Sequence, residues 1–304
     1  MSTGATTATT TAAPVRARFA DYVELAKPRI TILELVTVVA AMQFALAATG
    51  GSWTAGPTIA ILLGTGLLAA SANTLNQYLE IRFDRLMRRT ANRPLAAKRM
   101  RPIEAATFGI ASVAIGVTLL AFGVNGLTAG LGLLCWFTYV ALYTPMKRYS
   151  TWNTFVGAIS GALPIVMGWT AGGGQLDAVA LGLFAVLFLW QYPHFMAIAW
   201  LCREDYAKVG YKMTTVVEPT GRTAGVYAIV GAAMLAPAAL LPAVAVGGDG
   251  SVVYACSVVV FAVLQLVVAI RFYRNRTDQN ARHLMRASLL YLPAWMLMLV
   301  CCLP

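Results

Sequence analysis

Acidic residues are scarce in this chain: Asp and Glu number 12, against 23 Lys and Arg. Charged residues of both signs make up 12% of the 304 positions, while 59% are hydrophobic. The mean hydropathy is +0.70. A soluble domain does not carry that much apolar sequence, so the net charge of +11 is not read as a nucleic-acid surface. None of the five cysteines, Cys135, Cys202, Cys256, Cys301 and Cys302, forms a CxxC pair, and most lie in apolar runs. That excludes a disulfide framework or zinc site as the organising feature. Residues 1–15 lack a charged segment leading into an apolar core and are rich in Thr and Ala. The expectation is a disordered cytoplasmic tail over 1–20, not a signal peptide, followed by one membrane domain over 21–304. No strict internal repeat is visible, although the second and sixth apolar runs both end in a short acid-plus-base loop.

Apolar runs of membrane-crossing length are what the chain has in abundance. Nine spans are predicted: Ile30–Thr49, Pro57–Gln77, Ile103–Val124, Leu127–Tyr143, Asn153–Ala171, Ala178–Trp200, Ala224–Val244, Val252–Ala269 and Ala287–Cys301. Glycine-rich or Asn-Gly breaks separate several of them. With nine spans, every Lys and Arg falls in the N-terminal segment or in alternate loops, and the opposite loops carry only Asp177 and Asp249. By the positive-inside rule the N-terminus is cytoplasmic, the C-terminus is outside, and the chemistry belongs on the cytoplasmic face of an all-α polytopic membrane protein.

The densest polar stretch is 73–95. Asn76, Glu80 and Asp84 recur every four residues, so a helix places them on one face among Arg82, Arg85, Arg88, Arg89 and Arg93. Two carboxylates and an amide oxygen suit a hard cation such as Mg²⁺, and the arginines suit a phosphate or diphosphate that shares it. The bland alternative is a salt-bridged helix end. A second acid pair, Glu204 and Asp205, follows the sixth span with Lys208 and Lys212 beyond it. It could complete a two-metal diphosphate site or be an ordinary anchoring loop. Lys147 and Arg148 follow Tyr143-Thr-Pro, and Gly157 and Gly161 have a spacing that permits close helix approach. His194 lies inside the sixth span after Pro193. It is either a neutral packing residue, a haem ligand or a proton-transfer group. Glu34 is left unassigned, snorkelling or pairing with Lys27 or Arg29, and His283 reads as solvated.

The pattern Asn76-x3-Glu80-x3-Asp84-x2-Met87-x-Arg89-Thr90-x2-Arg93-Pro94-Leu95 resembles the first signature of the UbiA-type intramembrane prenyltransferases. Lys27-Pro28-Arg29, Tyr143-Thr144-Pro145 to Gly168-Trp169, and Trp190-Gln191-x-Pro193-His194-Phe195 to Gly210-Tyr211 narrow the likeness to the protohaem IX farnesyltransferase (haem O synthase) branch. The superfamily usually has Asp where Glu80 stands. Its second motif is commonly DxxxD, whereas Cys202 and Tyr206 hold the outer positions here. The resemblance implies nine helices around a central cavity under a cytoplasmic loop cap. It implies Mg²⁺-dependent transfer of farnesyl from farnesyl diphosphate to a vinyl group of haem b, with water added, in the cell membrane. Asn76, Glu80, Asp84, Lys147 and Asp205 would be catalytic, with Glu204 and Asp205 as further metal ligands. Arg29, Arg89, Arg93, Tyr143, Arg148, His194, Lys208, Tyr211 and Lys212 would bind substrate. Haem A synthase or oxidase assembly proteins would be partners. Prenylation of a quinone or chlorophyll precursor by the same fold, and organic-anion transport, are the alternatives.

Overall fold

The computed structural model describes residues 18–303, and their regular structure is entirely helical. A short helix α1 (Phe19–Ala26) precedes six long ones: α2 (Pro28–Thr49), α3 (Ala55–Asp84), α4 (Pro102–Gly123), α5 (Gly126–Met146), α6 (Asn153–Ala171) and α7 (Ala178–Leu201). Two short helices, α8 (Arg203–Lys208) and α9 (Thr214–Val217), lead into α10 (Arg222–Val246), α11 (Ser251–Arg274) and α12 (Asp278–Cys302). Among the described residues, nine helices are long and apolar enough to cross a membrane, so the chain is a multi-pass membrane protein. Residues 1–17 of the expected tail lie outside the described residues, and α1 already begins at Phe19.

Local chemistry sets the helix ends. The Asn125 side chain accepts from Thr128 N and caps α5; Asp177 does the same for α7 and Thr277 for α12. Gly50 closes α2 at φ +69°. Of the helices that run further than their apolar patterns, two do so by the largest margin. α3 continues from Gln77 to Asp84, and α12 starts at Asp278 rather than Ala287. Polarity ends the membrane span, not the helix: the added turns of α3 carry Glu80 and Asp84 inward, and those of α12 carry Arg282 and Arg286, which are exposed.

Large apolar side chains are exposed along the spans, including Ile110, Phe122 and Val244, where lipid rather than water is the solvent. Helices meet through small residues. A Cβ on Gly168 would collide with the Val38 carbonyl of α2, and one on Gly172 would meet Ala45. Gly157 and Gly161 do not form one such seam: Gly157 faces the Tyr143 ring of α5, and Gly161 faces the Gln191 amide of α7. The pair therefore makes room for side chains on two different neighbours. Pro164 donates nothing to the Ser160 carbonyl, which accepts from Cys135 Sγ at 3.1 Å instead.

Candidate active site

Asn76, Glu80 and Asp84 are each at most 5% exposed on the inward face of α3. Burying two carboxylates there requires partners, and each has a dedicated cation. Glu80 Oε1 lies 2.9 Å from Lys147 Nζ and accepts from Tyr211 OH at 3.0 Å. Arg93 Nη1 reaches both oxygens of Asp84 at 2.8 Å. Asn76 Nδ2 donates to Glu80 Oε2 and to Thr144 Oγ1, both at 3.1 Å. The Thr144 hydroxyl spends its own proton on the Tyr139 carbonyl, 2.8 Å away. The amide's Oδ1 therefore accepts no hydrogen bond from the described residues and remains an open oxygen ligand.

Lys147 is brought there by an irregularity in α5. Residues 138–143 form a π-helical turn just before Pro145, which has no N–H to offer the Ala141 carbonyl. The turn sets Tyr143 beneath Lys147, whose Nζ stands 4.5 Å from the ring centroid. Gly157 leaves room for that ring: a Cβ there would stand 2.9 Å from it. The Lys147 carbonyl accepts from Lys212 N at 2.6 Å, and Asn153 Nδ2 reaches the Lys212 carbonyl at 3.1 Å. These bonds tie the α9 approach to the α5–α6 loop and deliver Tyr211. Arg148 stacks over Phe83, 5.0 Å from its centroid. A cleft of about 240 Å³ borders Glu80, Thr144, Arg148 and Tyr211.

Burial opposes the charge of Lys147, but the Glu80 carboxylate and neighbouring phenols outweigh it, so the amine holds its proton above the ordinary lysine value. Burial and then the Glu80 carboxylate push the Tyr211 phenol up, so it stays a donor. A prepared acid pair, an unspoken-for amide oxygen and adjacent cations form a donor set that fits Mg²⁺ together with a diphosphate.

The other predicted residues divide. Glu204 and Asp205 lie on α8, where Asp205 pairs with Lys208 at 3.4 Å. They line a separate cleft of about 440 Å³ with Arg88, Arg89, Cys202 and Lys208. Among the described residues no three His, Cys, Asp or Glu converge, so the two acid pairs are not one cluster. Arg89 reaches the Tyr206 hydroxyl at 3.5 Å. Lys212 contributes its backbone, its side chain being exposed, and Arg29 is exposed on α2. No described ion pair joins Glu34 to Lys27 or Arg29.

Lys27 carries a role the sequence reading did not give it. It links α1 to α2 in the left-handed region, φ +49°, where a non-glycine residue is strained. Its amine is lowered to about 7 by burial, then by the charges of Arg93 and Lys147. Glu80 and Asp84 pull the other way, so Lys27 belongs electrostatically to this cluster. The Lys-Pro step was the only available signal, because proline at N1 starts a helix. His194, in α7, has Nδ1 2.9 Å from Ser288 Oγ of α12 and stacks on Trp190 at 5.0 Å between centroids. Ser288 is a second residue that no local pattern marked.

The sequence profile described as the UbiA prenyltransferase family matches residues 35–296. The chain belongs to the UbiA prenyltransferase family. It is a prenyltransferase by that membership. It is 44% identical to a Rhodopirellula baltica protein named protoheme IX farnesyltransferase, over 91% of this chain and 98% of that protein. A Solibacter usitatus protein of the same name is 40% identical over 90% and 95%. The human mitochondrial protein of that name is 38% identical over 90% of this chain and 60% of its own length. Among solved structures, a digeranylgeranylglyceryl phosphate synthase shares the fold with TM-score 0.76 at 14% identity, covering 93% of this chain and 97% of its own. A UbiA homologue from Archaeoglobus fulgidus bound to GPP and Mg²⁺ does so with TM-score 0.66 at 16% identity, covering 92% and 99%.

Proposed function

We propose that this UbiA-family prenyltransferase transfers a farnesyl group from farnesyl diphosphate to a vinyl group of haem b, with addition of water, giving haem O for haem-copper oxidases. The observation that carries the donor half is the inward face of α3, where Glu80 and Asp84 are each held by a cation beside the free Asn76 oxygen. The acceptor half is supported by the name shared by full-length relatives at 40% and 44% identity.

Mg²⁺ held by Asn76, Glu80 and Asp84 would supply Lewis-acid neutralisation of the departing diphosphate. The chain's own residues do the rest. Lys147 and Arg93 stand beside those carboxylates and direct fixed positive charge to the leaving-group oxygens. Tyr211 donates a hydrogen bond at the same place, and Arg148 edges the cleft. Arg89 and Lys208 extend the positive field from the neighbouring cleft, with Asp205 and Glu204 beside them as second-metal candidates. The Tyr143 ring beneath Lys147 presents a wall without a strong nucleophile to an allylic cation, and the apolar bundle keeps bulk water away. His194, held by Ser288 and Trp190 deeper in the bundle, is the residue assigned to the acceptor in this reading. The enzyme sits in the cell membrane with its N-terminus cytoplasmic and its C-terminus outside, with 21–304 as one domain and haem A synthase or oxidase assembly proteins as recipients of the product.

The test uses the full chain in detergent. Diphosphate should be released from farnesyl diphosphate only when both Mg²⁺ and haem b are supplied; release with a quinone precursor but not with haem would move the acceptor to the other branch of the fold.

A further inference from the structure

The hydrogen bonds around His194 fix where its proton sits. Ser288 Oγ is 2.9 Å from His194 Nδ1 and 2.7 Å from the Met285 carbonyl oxygen. A carbonyl can only accept, so the single Ser288 proton goes to Met285. His194 Nδ1 must then donate to Ser288. No carboxylate is among its hydrogen-bond partners in an apolar bundle, so the resting imidazole is neutral and its Nε2 carries a lone pair. That nitrogen has no described hydrogen-bond partner, and the side chain is only half buried. The same serine fixes the ring's orientation from its backbone. Trp190 Nε1 donates to the Ser288 carbonyl at 2.6 Å, and the Trp190 ring lies 14° from the His194 plane. Ser288 itself is fully buried and can act on a substrate only through His194.

The proposed reaction has a proton to dispose of. The C1–O bond of the prenyl diphosphate breaks with its electron pair leaving on diphosphate, and the vinyl π pair forms the new C–C bond. The cation left beside the porphyrin is captured by a water lone pair. One O–H bond of that water must then give up its proton, the pair remaining on oxygen. An imidazole held with Nε2 unprotonated is a base for that step; the other tautomer is not.

We infer that Ser288 is a positioning residue for His194, and that His194 Nε2 accepts the proton released when water adds to the prenylated haem cation. The imidazolium so formed returns the proton to solvent after product leaves. The inference rests on the farnesyl-transfer reading above.

The experiment compares the full-length enzyme with Ser288→Ala and Ser288→Thr, using haem b, farnesyl diphosphate and Mg²⁺. Diphosphate release is measured alongside the mass of the haem products. In Ser288→Ala the ratio of hydrated to unhydrated product should fall roughly tenfold from the wild-type ratio, a fraction of what a general base contributes. Its pH profile should shift, and Ser288→Thr, which keeps the hydroxyl, should restore both. An unchanged product ratio and profile in Ser288→Ala overturns the inference. So does loss of the axial-ligand haem spectrum in Ser288→Ala with the product ratio intact, which makes His194 an iron ligand instead. If Ser288→Ala does not fold, ¹⁵N spectra of histidine-labelled wild type decide, since the chain has only 2 histidines. A proton on Nε2 rather than Nδ1 overturns the assignment. Failure of the farnesyl-transfer reading is distinguishable, because wild type would then form no prenylated haem whatever the tautomer.

Discussion

Arg93 Nη1 lies 2.8 Å from both carboxylate oxygens of Asp84, nine residues back along the chain. The loop after α3 thus folds onto the helix it has just left. The Thr90 hydroxyl clamps the fold by donating to the Asp84 carbonyl at 3.0 Å. With Lys147 on Glu80 in the same way, the acid face is electrically balanced before any ligand arrives.

Removing either side of that pair should have different consequences. Asp84→Asn keeps the shape and removes a charge, so turnover should fall at least about 10²-fold, the order of one strong transition-state electrostatic contact, with insertion intact. Glu80→Asp retains the charge and should be milder. Arg93→Met leaves Asp84 buried without a partner and should cost about 3 kcal/mol of stability. Steady-state rates and thermal unfolding of the purified variants check the contrast; normal turnover by Asp84→Asn would remove the metal assignment.

Lys27 gives a pH-dependent signature. Its amine sits at about 7, below the usual lysine value, because of burial and then Arg93 and Lys147. Above that pH the ligand-free amine is neutral. Diphosphate brings negative charge, favours the ammonium and raises the pKa, so binding at about pH 8 should take up a proton. Calorimetry in two buffers of different ionisation enthalpy measures it. Uptake should vanish in Lys27→Met; equal heats in both buffers for wild type would contradict the assignment.

Gly157 should not tolerate a methyl group. A Cβ there would press on Tyr143 at 2.9 Å, shifting the ring that supports Lys147. Gly157→Ala should cost about 1–3 kcal/mol, the usual range for overpacking, and lower turnover. Gly126→Ala, where nothing lies within 4 Å, is the control. Equal stability and activity for the two variants would show that the site tolerates movement of Tyr143.

Topology is tested by reporters fused after Pro304 and near Met100. With the proposed orientation, drawn from the one-sided partition of Lys and Arg, the first should be active outside and the second in the cytoplasm. The reverse pattern would reject the orientation.

The nine spans and the Asn76–Glu80–Asp84 face were legible because hydropathy and a four-residue spacing are local signals. The pairing of Glu80 with Lys147 was not, since the two are 67 residues apart and meet only through the π-helical turn before Pro145. Helix α1 was hidden by its amphipathic, partly acidic sequence at the edge of the tail. There Asp21 caps the first turn and pairs with Arg99 at 3.0 Å. Ser288 was invisible for a similar reason: it is an ordinary serine in an apolar helix until α12 packs against α7 and sets it on His194. The glycine pair at 157 and 161 shows the limit of spacing alone. Their spacing was read as permitting close helix approach, whereas what the two glycines admit is side chains from two other helices.

Haem b is the proposed acceptor. Mass spectrometry of haems extracted from membranes of an expression host lacking any such enzyme, with and without this protein, tests it most directly. The expected result is a new haem heavier than haem b by one farnesyl group plus one hydroxyl group, present only with active protein and absent with Asp84→Asn. Membranes that contain the folded protein, farnesyl diphosphate and Mg²⁺ yet yield only haem b would contradict it.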